Sequence, residues 1–167
     1  MFKIYKGWCL LLMDHIVGIG EYAISTKKED VIKTFALSTC VGIVVYDVEK
    51  KILAMAHVLL PKAIKGNADD KMAKYADTAI HNVFREMKTK HNCNERHFKV
   101  TLFGGIDSKA GDIFKVGEKN IAVIKNILDK KNINYDSTNT GGRLSRTIIA
   151  YASSGEIDLK STPMLNI

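Results

Sequence analysis

The chain has 167 residues, 46% of them hydrophobic and 26% charged, with a formal net charge of +7. That is the length of one domain with a single substantial core and the composition of a soluble globular protein. No apolar run approaches the roughly 20 residues of a helical membrane span, so no membrane insertion is expected.

The positive charge is mostly lysine, scattered singly among acids, with Arg85, Arg96, Arg143 and Arg146 as the arginines. No aromatic-and-arginine stacking pattern accompanies it, so no nucleic acid is expected as a partner. A basic surface that attracts an acidic protein accounts for the charge equally well. The three cysteines, Cys9, Cys40 and Cys93, are far apart and odd in number, which supports neither a disulfide framework nor a Cys-x-x-Cys metal site. A reducing cytoplasmic setting is the expectation, and there a thiol stays available for chemistry. At the N-terminus, lysines precede a short apolar run from Trp8 to Met13 with no small-residue cleavage site, too little for a secretory signal. Met13 is a second potential start. Residues 1–12 therefore read as an optional extension before a single domain over 13–167.

In chain order, "HIVGIGEYAI" (15–24) and "VIKTFA" (31–36) read as strands separated by the polar turn "STKKED". "CVGIVVYD" and "ILAMAHVLL" predict a hairpin across "VEKK", with both strands apolar on both faces. From Asp70 to His91 the apolar spacing turns helical. "HFKVTLFGG" (97–105) is a strand ending in a glycine pair. A second helix follows over Gly117 to Lys131, with Ile121, Ile124, Ile127 and Leu128 on one face. "INYDSTN", "RTIIAYA" and "IDLKS" complete the strands. The fold class is α+β, with layered mixed and antiparallel sheets flanked by two main helices.

The hairpin makes a testable geometric statement about two reactive residues. With "VEKK" as the loop, Asp47 pairs with Ile52, His57 lies opposite Gly42, and Cys40 faces Leu59. Side chains alternate with period two, so Cys40, Gly42 and His57 share one face. Cys40 and His57 are then diagonal neighbours about 7–8 Å apart at the backbone, with Gly42 leaving the ring room to lean toward sulfur. The ordinary reading is a small buried hydrophobe and a satisfied core histidine. The chemical reading is a thiol activated by an imidazole for attack on a carbonyl carbon. Thr34, on the preceding strand, is a candidate to orient the ring.

Other groupings are weaker. "HNCNERH" offers His91, Cys93 and His97 in a polar connection, a poor zinc signature. "GIGEY" lacks the third glycine and following helix of a dinucleotide fingerprint. The pairs Gly104–Gly105 and Gly141–Gly142 bring backbone N–H groups within reach of a substrate or simply make turns.

Taken together, these segments resemble the CheD family of chemoreceptor glutamine deamidases from about Met13 to Lys160. "IVGIGEYAI", "LSTCVGIVVYD", "AMAHVLLP", "KYADTAI", "FGG", "VGEKN" and "NTGGR" follow the family's motifs in order. The resemblance implies catalytic roles for Cys40, His57 and Thr34 and a fold similar to deamidating bacterial toxin domains. It also implies hydrolysis of chemoreceptor glutamines to glutamates in chemotaxis adaptation, binding to a CheC-type phosphatase, and no cofactor. The chain departs from the family's Gly-Ser before the cysteine, having Ser38-Thr39 instead. A binding module with weak or no catalysis is the alternative that this departure leaves open.

Overall fold

A computed structural model describes residues 13–63, 72–107 and 113–164. The expected extension 1–12, with Cys9, lies outside the described residues. The strands are β1 (Asp14–Ile16), β2 (Tyr22–Ser25), β3 (Val31–Leu37), β4 (Val41–Asp47), β5 (Ile52–Val58), β6 (Phe98–Gly104), β7 (Tyr135–Thr140), β8 (Leu144–Tyr151) and β9 (Ile157–Pro163). The helices are α1 (Ala76–His91) and α2 (Val116–Lys130). One sheet has the order β1-β3-β8-β9 and the other β2-β5-β4-β6-β7. Each contains one parallel pair, β1 with β3 and β6 with β7, among antiparallel neighbours. The expected α+β class with layered mixed sheets and two main helices is what the chain adopts.

The three layers follow from the side-chain pattern of the central hairpin. All residues of β4 and β5 are buried, so apolar groups point both ways from the five-stranded sheet. Ile43, Val45, Ala54 and Ala56 meet α1 and α2 on one face. Val44, Leu53 and Met55 meet Ile32, Leu37 and Ile148 of the four-stranded sheet on the other. Helix α1 supplies its half of the helical layer through Ala76, Ala79, Ile80, Val83, Phe84 and Met87, all buried at helical spacing. Lys88 and Lys90 lie in its last turn, where cations oppose the carbonyl end of the helix dipole. Asn92 closes it in a left-handed conformation by donating its N–H to the Met87 carbonyl.

The hairpin register is the expected one: Asp47 pairs with Ile52 and Gly42 with His57. Asp47 also sets the turn, accepting the N–H groups of Glu49 and Lys50 at 3.0 and 2.9 Å. Two expectations differ. The run 15–24 is two strands, β1 and β2, which belong to different sheets. The break lies at Gly18–Glu21, where the Glu21 carboxylate takes the Gly18 N–H and Gly20 has a φ of 79°. The long helix begins at Ala76 rather than near Asp70, after a bridge between Leu60 and Tyr75.

Gly42 also has a role other than the one expected. A Cβ there would lie 2.7 Å from Ile148 Cδ1 and 2.8 Å from Leu37 Cδ1. The space above it holds two methyl groups of the opposite sheet, so the glycine serves close sheet-to-sheet packing rather than an open path for the imidazole. Gly42→Ala should therefore destabilise the protein by about 1–3 kcal/mol through overpacking, read as a lower urea midpoint at unchanged m-value. A midpoint equal to wild type would show that Leu37 and Ile148 yield freely.

Candidate active site

Thr34, Cys40 and His57 come from three different segments and meet the same inter-sheet space. Thr34 and His57 are buried at 0% and 4% exposure, and Cys40 at 7%. Cys40 belongs to the apolar cluster between the sheets, with Leu37 and Phe103. His57 extends the β5 series Leu53 and Met55 on that face. Thr34 lies on β3 in the opposing sheet, just before a bulge between Thr34 and Leu37.

The imidazole is held from one side. Thr34 Oγ1 lies 2.8 Å from His57 Nδ1 and also donates to the Val17 carbonyl at 2.8 Å. A hydroxyl has one proton. With that proton committed to Val17, Oγ1 accepts from His57 Nδ1–H, which leaves the lone pair on Nε2. His57 Nε2 is buried and has no hydrogen-bond partner among the described residues. The ring thus presents an oriented but unused base.

Burial pushes the Cys40 thiol above its ordinary range, with its own backbone N–H pulling the other way. Burial holds His57 below the usual imidazole range, against the opposing influence of the Val17 carbonyl and the Glu21 carboxylate. Both groups are accordingly neutral near pH 7. The expected activation by the imidazole therefore does not take the form of a resting thiolate, because desolvation dominates both groups. No hydrogen bond joins Nε2 to sulfur, an arrangement familiar where catalytic contacts tighten only around substrate.

The backbone around the cysteine is clamped from β6. Gly105 N–H bonds the Cys40 carbonyl at 2.8 Å, and Ile106 N–H bonds the Ser38 carbonyl at 2.9 Å. The approach is so close that a Cβ on Gly104 would stand 2.4 Å from the Cys40 carbonyl oxygen, and its φ is 88°. Ser38 and Thr39 are absent from the left-handed non-glycine residues, which near the site include only Ala36, at φ 54°. Ser38 therefore has no left-handed backbone conformation that would call for glycine.

Two further polar residues of this region escaped the sequence reading. Asn120 of α2 is fully buried and donates Nδ2 to the Thr39 and Leu59 carbonyls at 3.1 and 3.0 Å. Its signal was its place at four-residue spacing before Ile124 and Leu128, a polar side chain on an apolar stripe. Arg146, 5% exposed, binds the Leu144 and Gly141 carbonyls at 3.1 and 2.9 Å and so holds the Gly141–Gly142 turn. It alternates with Ile148 and Ala150 on the inner face of β8. The possible metal ligands do not converge: His97 faces Glu49 at 3.4 Å, whereas Cys93 is buried, with the Asp47 carboxylate among the influences on its thiol. No group of three or more metal-ligating side chains occurs among the described residues.

The architecture defines a class: a two-sheet α+β domain with a free thiol and an anchored histidine on one inner face. A family model described as CheD chemotactic sensory transduction matches residues 59–161. A "Probable chemoreceptor glutamine deamidase CheD" of Thermococcus kodakarensis is 34% identical over 151 residues, 89% of this chain and 92% of the relative. A Bacillus licheniformis protein named chemoreceptor glutamine deamidase CheD is 35% identical over 150 residues, 87% of this chain and 88% of the relative. The chain belongs to the CheD family. Among solved structures, a Neisseria meningitidis protein of the DUF152 family is similar at a TM-score of 0.48 and 10% identity, covering 78% of this chain and 63% of that one. No helix among the described residues is long and apolar enough to cross a membrane.

Thr34→Val should cost about 1–3 kcal/mol in urea unfolding, because it removes the buried hydroxyl that bonds both the Val17 carbonyl and His57 Nδ1. Thr34→Ser should recover most of the loss. Imidazole ¹⁵N NMR should show the Nδ1–H tautomer of His57 in wild type and a mixed population in Thr34→Val. Cys40 alkylation by iodoacetamide supplies a second check. Since the thiol is raised, its reactivity should be low at neutral pH and climb with a midpoint above about 8.5, the free-thiol value. A plateau already reached at pH 6 would mean a resting thiolate.

Proposed function

We propose that this protein is a chemoreceptor glutamine deamidase in which Cys40 is the nucleophile, His57 the proton shuttle and Thr34 the orienting residue. The observation that carries the reading is the imidazole itself. Its Nδ1 is committed to Thr34, its Nε2 lone pair is unused, and a free thiol occupies the same inner face. The relatives' names supply the substrate class, the glutamine side chains of chemoreceptors.

The reaction follows from a neutral pair. As Cys40 Sγ bonds to the amide carbon of the glutamine, His57 Nε2 takes the thiol proton. The carbonyl oxygen becomes an oxyanion, to which the Cys40 backbone N–H would donate. The imidazolium then passes its proton to nitrogen, the C–N bond breaks, and ammonia leaves a thioester. Water adds to the thioester carbon while Nε2 takes its proton. The C–S bond breaks, the sulfur regains the proton, and glutamate is released. Thr34 contributes throughout by keeping Nε2, rather than Nδ1, as the working nitrogen.

The same reading assigns the protein to chemotaxis adaptation in the cytoplasm, with a CheC-type phosphatase as partner and residues 13–167 as the working domain. A second reading, a binding module without turnover, draws support from the absent hydrogen bond between Nε2 and sulfur. Intact-mass analysis separates the two. Receptor cytoplasmic fragments incubated with the protein should gain the amide-to-acid difference, about 1 Da for each converted glutamine. Cys40→Ala should abolish that gain while folding normally. Equal conversion by wild type and Cys40→Ala would overturn the mechanism, and binding without any mass change would favour the module.

A further inference from the structure

The ladder between β4 and β5 ends at Val41 and Val58, one residue short of the reactive cysteine. Cys40 and the residue after Val58, Leu59, lie beyond the last pair. The separation of sulfur from imidazole is therefore not set by strand pairing alone. One side chain spans that open end. Asn120 Nδ2 bonds the Thr39 carbonyl, directly before Cys40, and the Leu59 carbonyl, two residues after His57. Neither carbonyl accepts another hydrogen bond among the described residues.

The amide is an odd choice for stability alone. Asn120 is 0% exposed, and its Oδ1 is buried with no hydrogen-bond partner among the described residues. An idle buried acceptor is unfavourable. The two donors are what the residue contributes, and both go to the segments that carry the reactive pair. Gly117, three residues earlier, brings α2 into direct backbone contact with Gly105 and Ile106, the residues that clamp Ser38 and Cys40. The first turns of α2 thus brace the nucleophile segment from two directions.

We infer that Asn120 is a positioning residue that fixes the distance between Cys40 and His57, and that the chemical step depends on it. The inference rests on the Cys40–His57 reading above. A displacement of about 1 Å at a reacting group can cost on the order of a hundredfold in rate. Asn120→Ala should accordingly lower kcat on receptor fragments by about 10–100-fold with KM nearly unchanged.

Leu128→Ala is the control, a fully buried residue two turns farther along the same helix and away from the site. It should lower Tm at least as much as Asn120→Ala yet retain kcat well below its melting temperature. Retained kcat in Asn120→Ala, or an equal loss in Leu128→Ala, would overturn the inference. Asn120→Leu, which keeps the volume, replaces Asn120→Ala if the latter does not fold and is held to the same outcomes.

A second readout needs no deamidation. His57→Asn should change the rate of Cys40 alkylation in the wild-type background and have no further effect in Asn120→Ala. Additive effects would overturn the inference. Coupling without deamidation by wild type would instead leave the positioning role standing and remove the proposed activity.

Discussion

The hydroxyl of Thr34 joins the two sheets by a polar contact that crosses their apolar interface to a titratable ring. It donates to Val17 and accepts from His57 Nδ1, both at 2.8 Å. Because its single proton is committed, the tautomer of His57 follows, and with it the nitrogen that is free to act. The surrounding apolar layer gives this bond its leverage. Leu37, Leu53, Met55 and Ile148 exclude water from the same space, and burial keeps the imidazole neutral. A base in this position is both oriented and uncharged before any substrate arrives.

The hairpin was legible in the sequence because its register depends on a local quantity, a four-residue loop between two apolar runs. These place His57 opposite Gly42. The shared inner face of Cys40 and His57 follows from the two-residue period of strands. Which sheet β1 and β2 join was not legible, because "HIVGIGEYAI" has the same apolar character on both sides of its turn. The reversal of role at Gly42 has a related cause. Its empty space was visible in the sequence, whereas the Leu37 and Ile148 methyls that fill it come from strands paired elsewhere.

Asn120 and Arg146 show the limit from the other direction. Each is polar at a position whose spacing predicts burial, and each donates hydrogen bonds to backbone carbonyls. The partners of Asn120 lie in the segments around Thr39 and Leu59, which only the folded chain brings near, whereas Arg146 reaches back to carbonyls of its own turn. The charge states of Cys40 and His57 were hidden for the same reason. A cysteine beside a histidine suggests an ion pair on paper, but the extent of desolvation is a property of the packed layers.

The division of the site between two sheets has a mechanical consequence. Thr34 rides on the four-stranded sheet, and His57 on the five-stranded one. Every ladder bond within either sheet would survive a small glide of one layer over the other, yet the bond between Oγ1 and Nδ1 would not. Starting from 2.8 Å, a glide of about 1 Å along the bond takes it beyond hydrogen-bonding range. The ring would then be free to rotate while both sheets stayed whole. Shear between the layers, with no unfolding at all, is enough to disengage the base.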